Sequence, residues 1–280
     1  MATPLRLTGH GQDQLQTQVQ CYVHPDTGRR ITLISTMHVG EPAYFAGLRA
    51  LIDALTGDGA VVHSEGSALL GDADTADAAP DEQAVVANLT RYRELDLVRV
   101  RDLGWIGQVE GLGYPPHWQI HDLTYLQITR RVGTAAMRDK ADAQLRAVDW
   151  PDGDRDGPAR YRARAALMLR SAATADVGQQ LQQLRILDPA VQVLIDDRNT
   201  TALDAVFGTG QDIVLIWGPL HVPGLDAGLA GGGFVPDGDP TWRTVGRLPD
   251  PFDAAADAGL ATANSPEPTV SAAAHRAGPR

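Results

Sequence analysis

The chain has 280 residues, 43% hydrophobic content and a formal net charge of -11, which allows a substantial buried core and argues against a nucleic-acid backbone or an anionic membrane as the main partner. The single cysteine, Cys21, permits no intramolecular disulfide and reads as a small residue on the pleat of a strand. The single lysine, Lys140, lies in the helical stretch AAMRDKADAQLR instead of a phosphate-binding loop, so nucleotide-triphosphate hydrolysis is not expected.

Met1 to Gln14 is polar, without the apolar segment of a signal peptide, and no run reaches the ~18 residues of a membrane span, so a cytoplasmic protein is expected. Leu15 to Thr36 predicts two strands joined by a turn at His24-Pro25-Asp26-Thr27-Gly28. From Pro42 to Leu55, Phe45, Leu48, Leu51, Ile52 and Leu55 recur with a helical period. Pro42 suits the first turn of that helix and Gly57 its end. GAVVHSEG then forms a short buried strand, giving a β-α-β unit whose default is parallel pairing through a right-handed crossover. LLGDADTADAAPDE reads as a solvated loop, with helix resuming from Gln83 to Leu103.

HWQIHDLT predicts a strand with Trp118, Ile120 and Asp122 on one face. Tyr125 to Phe207 reads as mostly helical, broken at DWPDGDRDGPA and Pro189, with one packed helix over Ala190 to Phe207. A strand from Asp212 to Trp217, a short helix after Pro223 and closing strands near Phe234 and over Trp242 to Leu248 follow. GLAGGGFVPDG follows a helix, the reverse of a phosphate loop, and reads as a helix C-cap. The expected fold is therefore α/β: a central mixed sheet with parallel β-α-β units, flanked by helices, with a mostly helical middle insertion. Residues 1–248 form one domain in this reading, and 249–280, rich in Ala and Pro without periodicity, a disordered tail.

Two apolar strands end on a histidine beside Gly or Pro: ITLISTMHVGEP at His38 and IVLIWGPLHVPG at His221. Open α/β sheets bind ligands at the carboxyl ends of their strands. A loop histidine bonded to a carbonyl is the ordinary alternative for either. Glu65 closes the strand AVVHSEG, where a carboxylate is costly to bury unless paired or metal-bound, and is otherwise an exposed acid beyond the strand. His63 shares its face under period-2 alternation and is a candidate supporting partner. Arg198 and Asn199 interrupt an apolar helix. Arg198 is read either as a solvated residue paired with Asp196 or Asp197, or as a clamp for a substrate carboxylate or an oxyanion. Trp105, Tyr114 and Trp118 are assigned to packing, with a pocket wall as the alternative.

In order, STMHVG, VVHSEG, DDRN and GPLHVPGL resemble the motif series of the TraB/PrgY/GumN/Tiki family, within the superfamily of erythromycin-esterase-like and ChaN-like proteins. The resemblance spans roughly Arg30 to Gly233. Ser35 stands in the glycine place of the first G-x-x-H motif, whereas Gly218 keeps it in the second, and Asp122 resembles an acidic position that ends the family's central strand. It implies that His38, Glu65, Arg198 and His221 converge on one pocket. Three functions follow. In the first, His38, Glu65 and His221 bind a divalent metal ion that activates water for cleavage of a peptide or amide bond, with Arg198 steadying the anionic intermediate. In the second, a metal-free esterase uses His38 as general base with Glu65 orienting it. In the third, the pocket sequesters a small peptide without turning it over. The expected partner is a small peptide or small-molecule substrate, with neither nucleic acid nor membrane.

Overall fold

The computed structural model describes residues 4–70, 77–151, 154 and 156–250. The loop expected after Leu70 falls partly, and the tail expected after Leu248 largely, outside the described residues. The expected hairpin is present: β2 (Gln14–Val23) and β3 (Arg30–Ser35) pair antiparallel from Val19 with Ile34 to Val23 with Arg30. Its turn closes with the Gly28 amide on the His24 carbonyl, at a φ of +70° that glycine tolerates best. β1 (Leu5–Thr8) continues the β3 edge of β2, while β9 (Val235–Pro236) and β10 (Thr241–Arg247) pair along its other edge.

The other half of the sheet is parallel. β3 is followed by α1 (Pro42–Gly57) and β5 (Val61–Ser64), but the two strands are not neighbours. β8 (Ile213–Trp217) lies between them, with Ile213 opposite both Ile31 and Val61, and β7 (Gln119–Ile120) follows β5 at the edge. The apolar content of the strands explains the order. All five β8 residues are at most 1% exposed, so this strand fits only where helices cover both faces and strands flank both edges. β5 carries His63 and Ser64 and takes the more peripheral place.

Phe45, Leu48 and Ile52 of α1 pack on Ile34, Val62, Val214 and Ile216. α8 (Arg198–Phe207) and α9 (Val222–Gly231) cover the opposite face through Ala202, Val206, Leu225 and Leu229. Truncating such a fully buried leucine to alanine costs about 2–5 kcal/mol. The result is an α/β fold with a mixed sheet, parallel from β3 through β8 and β5 to β7.

Between β5 and β8 runs the helical insertion: α2 (Pro80–Arg101), α3 (Gln108–Leu112), α4 (Tyr125–Val132), α5 (Thr134–Arg146), α6 (Gly157–Thr174) and α7 (Val177–Leu187). α2, α4 and α5 share a cluster of their own around Val85, Leu89, Ile128 and Met137. A ribbon of β4 (Val39–Gly40) with β6 (Ile106–Gly107) ties the segment after β3 to the insertion. The single helix expected over Ala190 to Phe207 is instead a π-helix, Gln192–Asp197, running into α8. Among the described residues no helix is long and apolar enough to cross a membrane.

Candidate functional site

β3, β8 and β5 end almost level, with Ser35 opposite Trp217 and Ser64 opposite Ile216. The amides of Thr36 and Glu65 extend the pairing onto the carbonyls of Trp217 and Ile216. The chain therefore leaves the same sheet edge at Thr36 to His38, at Glu65 and at Gly218 to His221, and the four expected residues meet there. His38 Nδ1 is 3.4 Å from Glu65 Oε1, while Arg198 Nη2 and His221 Nε2 each lie 3.8 Å from Glu65 Oε2. Glu65 is 3% exposed, yet neither carboxylate oxygen has a hydrogen-bond partner among the described residues. Gly218 lets the backbone pass over this carboxylate: a Cβ there would lie 3.4 and 3.5 Å from the two oxygens.

The two histidines are held differently. His38 has 70% of its side chain exposed, with Nδ1 3.1 Å from Gln108 Oε1. The Gln108 amide nitrogen donates to the Tyr114 hydroxyl at 2.6 Å, which turns its oxygen towards His38. Nδ1 therefore carries the proton and Nε2 keeps its lone pair. His221 is 4% exposed and its Nδ1 lies 2.7 Å from Asn199 Oδ1, while Asn199 Nδ2 donates to the His221 carbonyl at 3.4 Å. Its Nε2 accepts from Arg198 Nη1 at 3.3 Å. Burial, with the Arg198 charge adding to it and Glu65 opposing, pushes His221 down to about 4, so the ring is neutral at physiological pH. Gly224 makes room for this arrangement, since a Cβ there would stand 2.2 Å from Asn199 Nδ2.

Arg198 does not pair with Asp196 or Asp197, which bind Arg185 and Arg131. Its partner is Asp122, through Nε to Oδ1 at 2.7 Å and Nη2 to Oδ2 at 2.8 Å. Asp122 also accepts from the Gly66 amide, the Ser67 hydroxyl and the Leu123 amide. Burial alone would raise its carboxyl, but the Arg198 bond and charge and these further donors outweigh it and hold it below the usual range. Burial likewise opposes the Arg198 charge, and the bond and charge of Asp122 overcome it, raising the guanidinium further. The π-helix ends immediately before Arg198, and such irregular turns are frequent at functional sites.

His63 is not the expected partner of Glu65. β5 ends at Ser64, so alternation stops before the glutamate, and the His63 ring packs 4.3 Å from that of His121 while its Nδ1 bonds no described residue. Gln108 and Asn199 had no assigned role in the sequence reading. Gln108 carries no motif and reaches His38 only through the β4/β6 ribbon, whereas Asn199 had its adjacency to Arg198 as a signal. Tyr114 belongs to the site as well as to packing, lining the cavity and stacking on Trp118 at 5.2 Å.

A cavity of about 350 Å³ opens beside His38, Glu65 and Arg198, and Leu89, Ile128 and Met137 of the helical insertion wall it. In the expected metal set of His38, Glu65 and His221, the His221 ring is engaged by other side chains. The His221 lone pair is already directed at Arg198, whose charge is fixed by Asp122, while His38 keeps its Nε2 lone pair free of a protein partner among the described residues. A cation at His221 Nε2 would stand against that guanidinium, at about 4 kcal/mol per unit charge at 4 Å near a protein surface. Among the described residues no group of three His, Cys, Asp or Glu side chains is placed to hold a metal ion. No protein-family model matches the chain, and no curated protein matches it, so its likeness to the TraB/PrgY/GumN/Tiki family rests on its motifs.

Proposed function

We propose that the protein is a metal-free hydrolase acting at the acyl carbonyl of a small ester, amide or peptide, with His38 as general base. The observation that carries this reading is the buried, hydrogen-bond-free Glu65 carboxylate behind an exposed histidine, at the mouth of a cavity of about 350 Å³. When His38 Nε2 takes a proton from water, the Glu65 charge 3.4 Å from Nδ1 stabilises the imidazolium that forms. The hydroxide so generated adds to the carbonyl carbon, and His38 returns the proton to the leaving amine or alkoxide. Arg198, aimed by Asp122 and by neutral His221, supplies the positive charge for the oxyanion. The motif likeness to the TraB/Tiki and erythromycin-esterase-like proteins supports the same group of residues.

Turnover of a panel of aryl esters, amino-acid amides and short peptides tests this reading. The parent is expected to hydrolyse at least one substrate class, unaffected by chelator, and His38→Ala to lose about 10²–10⁴-fold. Turnover abolished by chelator and restored by a divalent ion would overturn the metal-free mechanism. Binding without turnover across the panel would leave a peptide-sequestering role.

A further inference from the structure

Three cationic side chains line the cavity: Arg93, Lys140 and Arg198. Arg198 is committed to Asp122 and Lys140 to Asp188. Arg93, on α2, is only half-buried, yet it has no hydrogen bond or ion pair with any described residue. The carboxyl groups that line the same cavity form no hydrogen bond or close ion pair with it, although its charge acts on Asp96. Glu65 faces His38, Arg198 and His221, and Asp96, one turn along α2, accepts from the Tyr161 hydroxyl at 2.8 Å. A guanidinium on the wall of a partly apolar cavity with its donors unused suits an anion, and its planar fork matches a carboxylate. The apolar wall of Leu89, Leu97, Ile128, Met137 and Leu194 accompanies it.

We infer that Arg93 receives a substrate carboxylate, so that the cavity selects acyl compounds carrying a free carboxylate beside an apolar side chain, such as N-acyl amino acids and short peptides ending in an apolar residue. The identity of the bond cleaved rests on the hydrolase reading; recognition of the carboxylate does not. Arg93 is near enough to the reacting groups for its charge to act on Tyr114, whose hydroxyl holds the glutamine that orients His38. Arg93 and His38 line the same cavity, so a carboxylate held by Arg93 leaves the rest of the substrate in the space that His38 also borders.

Calorimetric titration with N-acetyl-leucine and N-acetyl-leucinamide, which differ only in that charge, tests the inference. The parent is expected to bind the carboxylate about tenfold or more tightly than the carboxamide, as a charge-assisted hydrogen bond implies. Arg93→Met is expected to remove the preference and Arg93→Lys to keep part of it, with thermal melts verifying that each variant is folded. Equal binding of the two probes by the parent, or an unchanged preference in a folded Arg93→Met protein, would overturn the inference even if the ester panel is turned over. A carboxylate preference that depends on Arg93, without turnover of any substrate, would support the Arg93 site and remove the hydrolase reading.

Discussion

The tip of β3 and the tip of β8 present the same His-Val pair to the same edge of the sheet, yet the fold gives the two imidazoles opposite chemistry. His38 is open to solvent, its proton held on Nδ1 by Gln108 and its other nitrogen free. His221 is enclosed, its nitrogens taken by Asn199 and Arg198. The difference comes from what the chain does next. After His38 it forms the short β4/β6 ribbon, which leaves the ring at the mouth of the cavity. After His221 it turns at once into α9, which packs on α8 and buries the ring. A matching sequence setting therefore marks the position of both histidines but not their roles: one is suited to move protons and the other to aim an arginine.

The largest expected effect breaks the enclosed side. Asp122→Ala removes both close hydrogen bonds of the buried Arg198 and leaves it, among the described residues, only the longer ion pair with Glu65, and is expected to cost about 3–5 kcal/mol in urea unfolding. His38→Ala, on the exposed side, is expected to change stability by less than ~0.5 kcal/mol. Similar losses in the two variants would contradict the contrast.

Acid sharpens the same contrast. His221 has a folded-state value of about 4 against about 6.5 in the unfolded chain. The unfolded state thus binds the extra proton first as the pH falls. The stability associated with neutral His221 is complete above pH 6.5 and is lost as the pH drops through the interval down to about 4, by about 3 kcal/mol at most. His63, pushed down to about 4 by burial, titrates in the same window, so His221→Gln should remove only part of the slope. Unfolding free energies at several pH values would check this, and an unchanged slope in the variant would mean that His221 is not the buried neutral group described.

A smaller effect is expected at the glycine that makes room for Asn199. Gly224→Ala must displace Asn199 Nδ2, 2.2 Å from the new methyl, and should cost about 1–3 kcal/mol in thermal unfolding. Gly47→Ala, at an exposed position of α1 with open space around it, should instead stabilise by about 0.5–1 kcal/mol. Equal shifts would mean that Asn199 does not hold His221 as described.

Much of this was legible in the sequence because it depends on local patterns. The β2/β3 hairpin followed from alternation and a turn signal, and α1 from its period of Phe45, Leu48 and Ile52. The meeting of His38, Glu65, Arg198 and His221 was expected from strand ends and motif order. What escaped depends on contacts between distant segments. Nothing local tells β8 to enter between β3 and β5, since either order satisfies a parallel crossover. The nearest aspartates, Asp196 and Asp197, were one local choice for Arg198, but a distant one, Asp122, is its partner because the fold brings the two buried side chains together. Gln108 had no motif, and only the pairing of β4 with β6 carries it to His38.

The most direct measurement pairs unfolding with turnover for Glu65→Gln, because Glu65 alone touches both sides of the contrast. The neutral amide is nearly the same size and removes a buried charge that has no hydrogen bond to lose among the described residues. The expected result is a folded protein with a melting temperature at or above that of the parent, whose hydrolysis of the best ester or amide substrate falls about 10²-fold or more. A folded Glu65→Gln protein that hydrolyses this substrate as fast as the parent would contradict the assignment of Glu65 as the charge behind the His38 base.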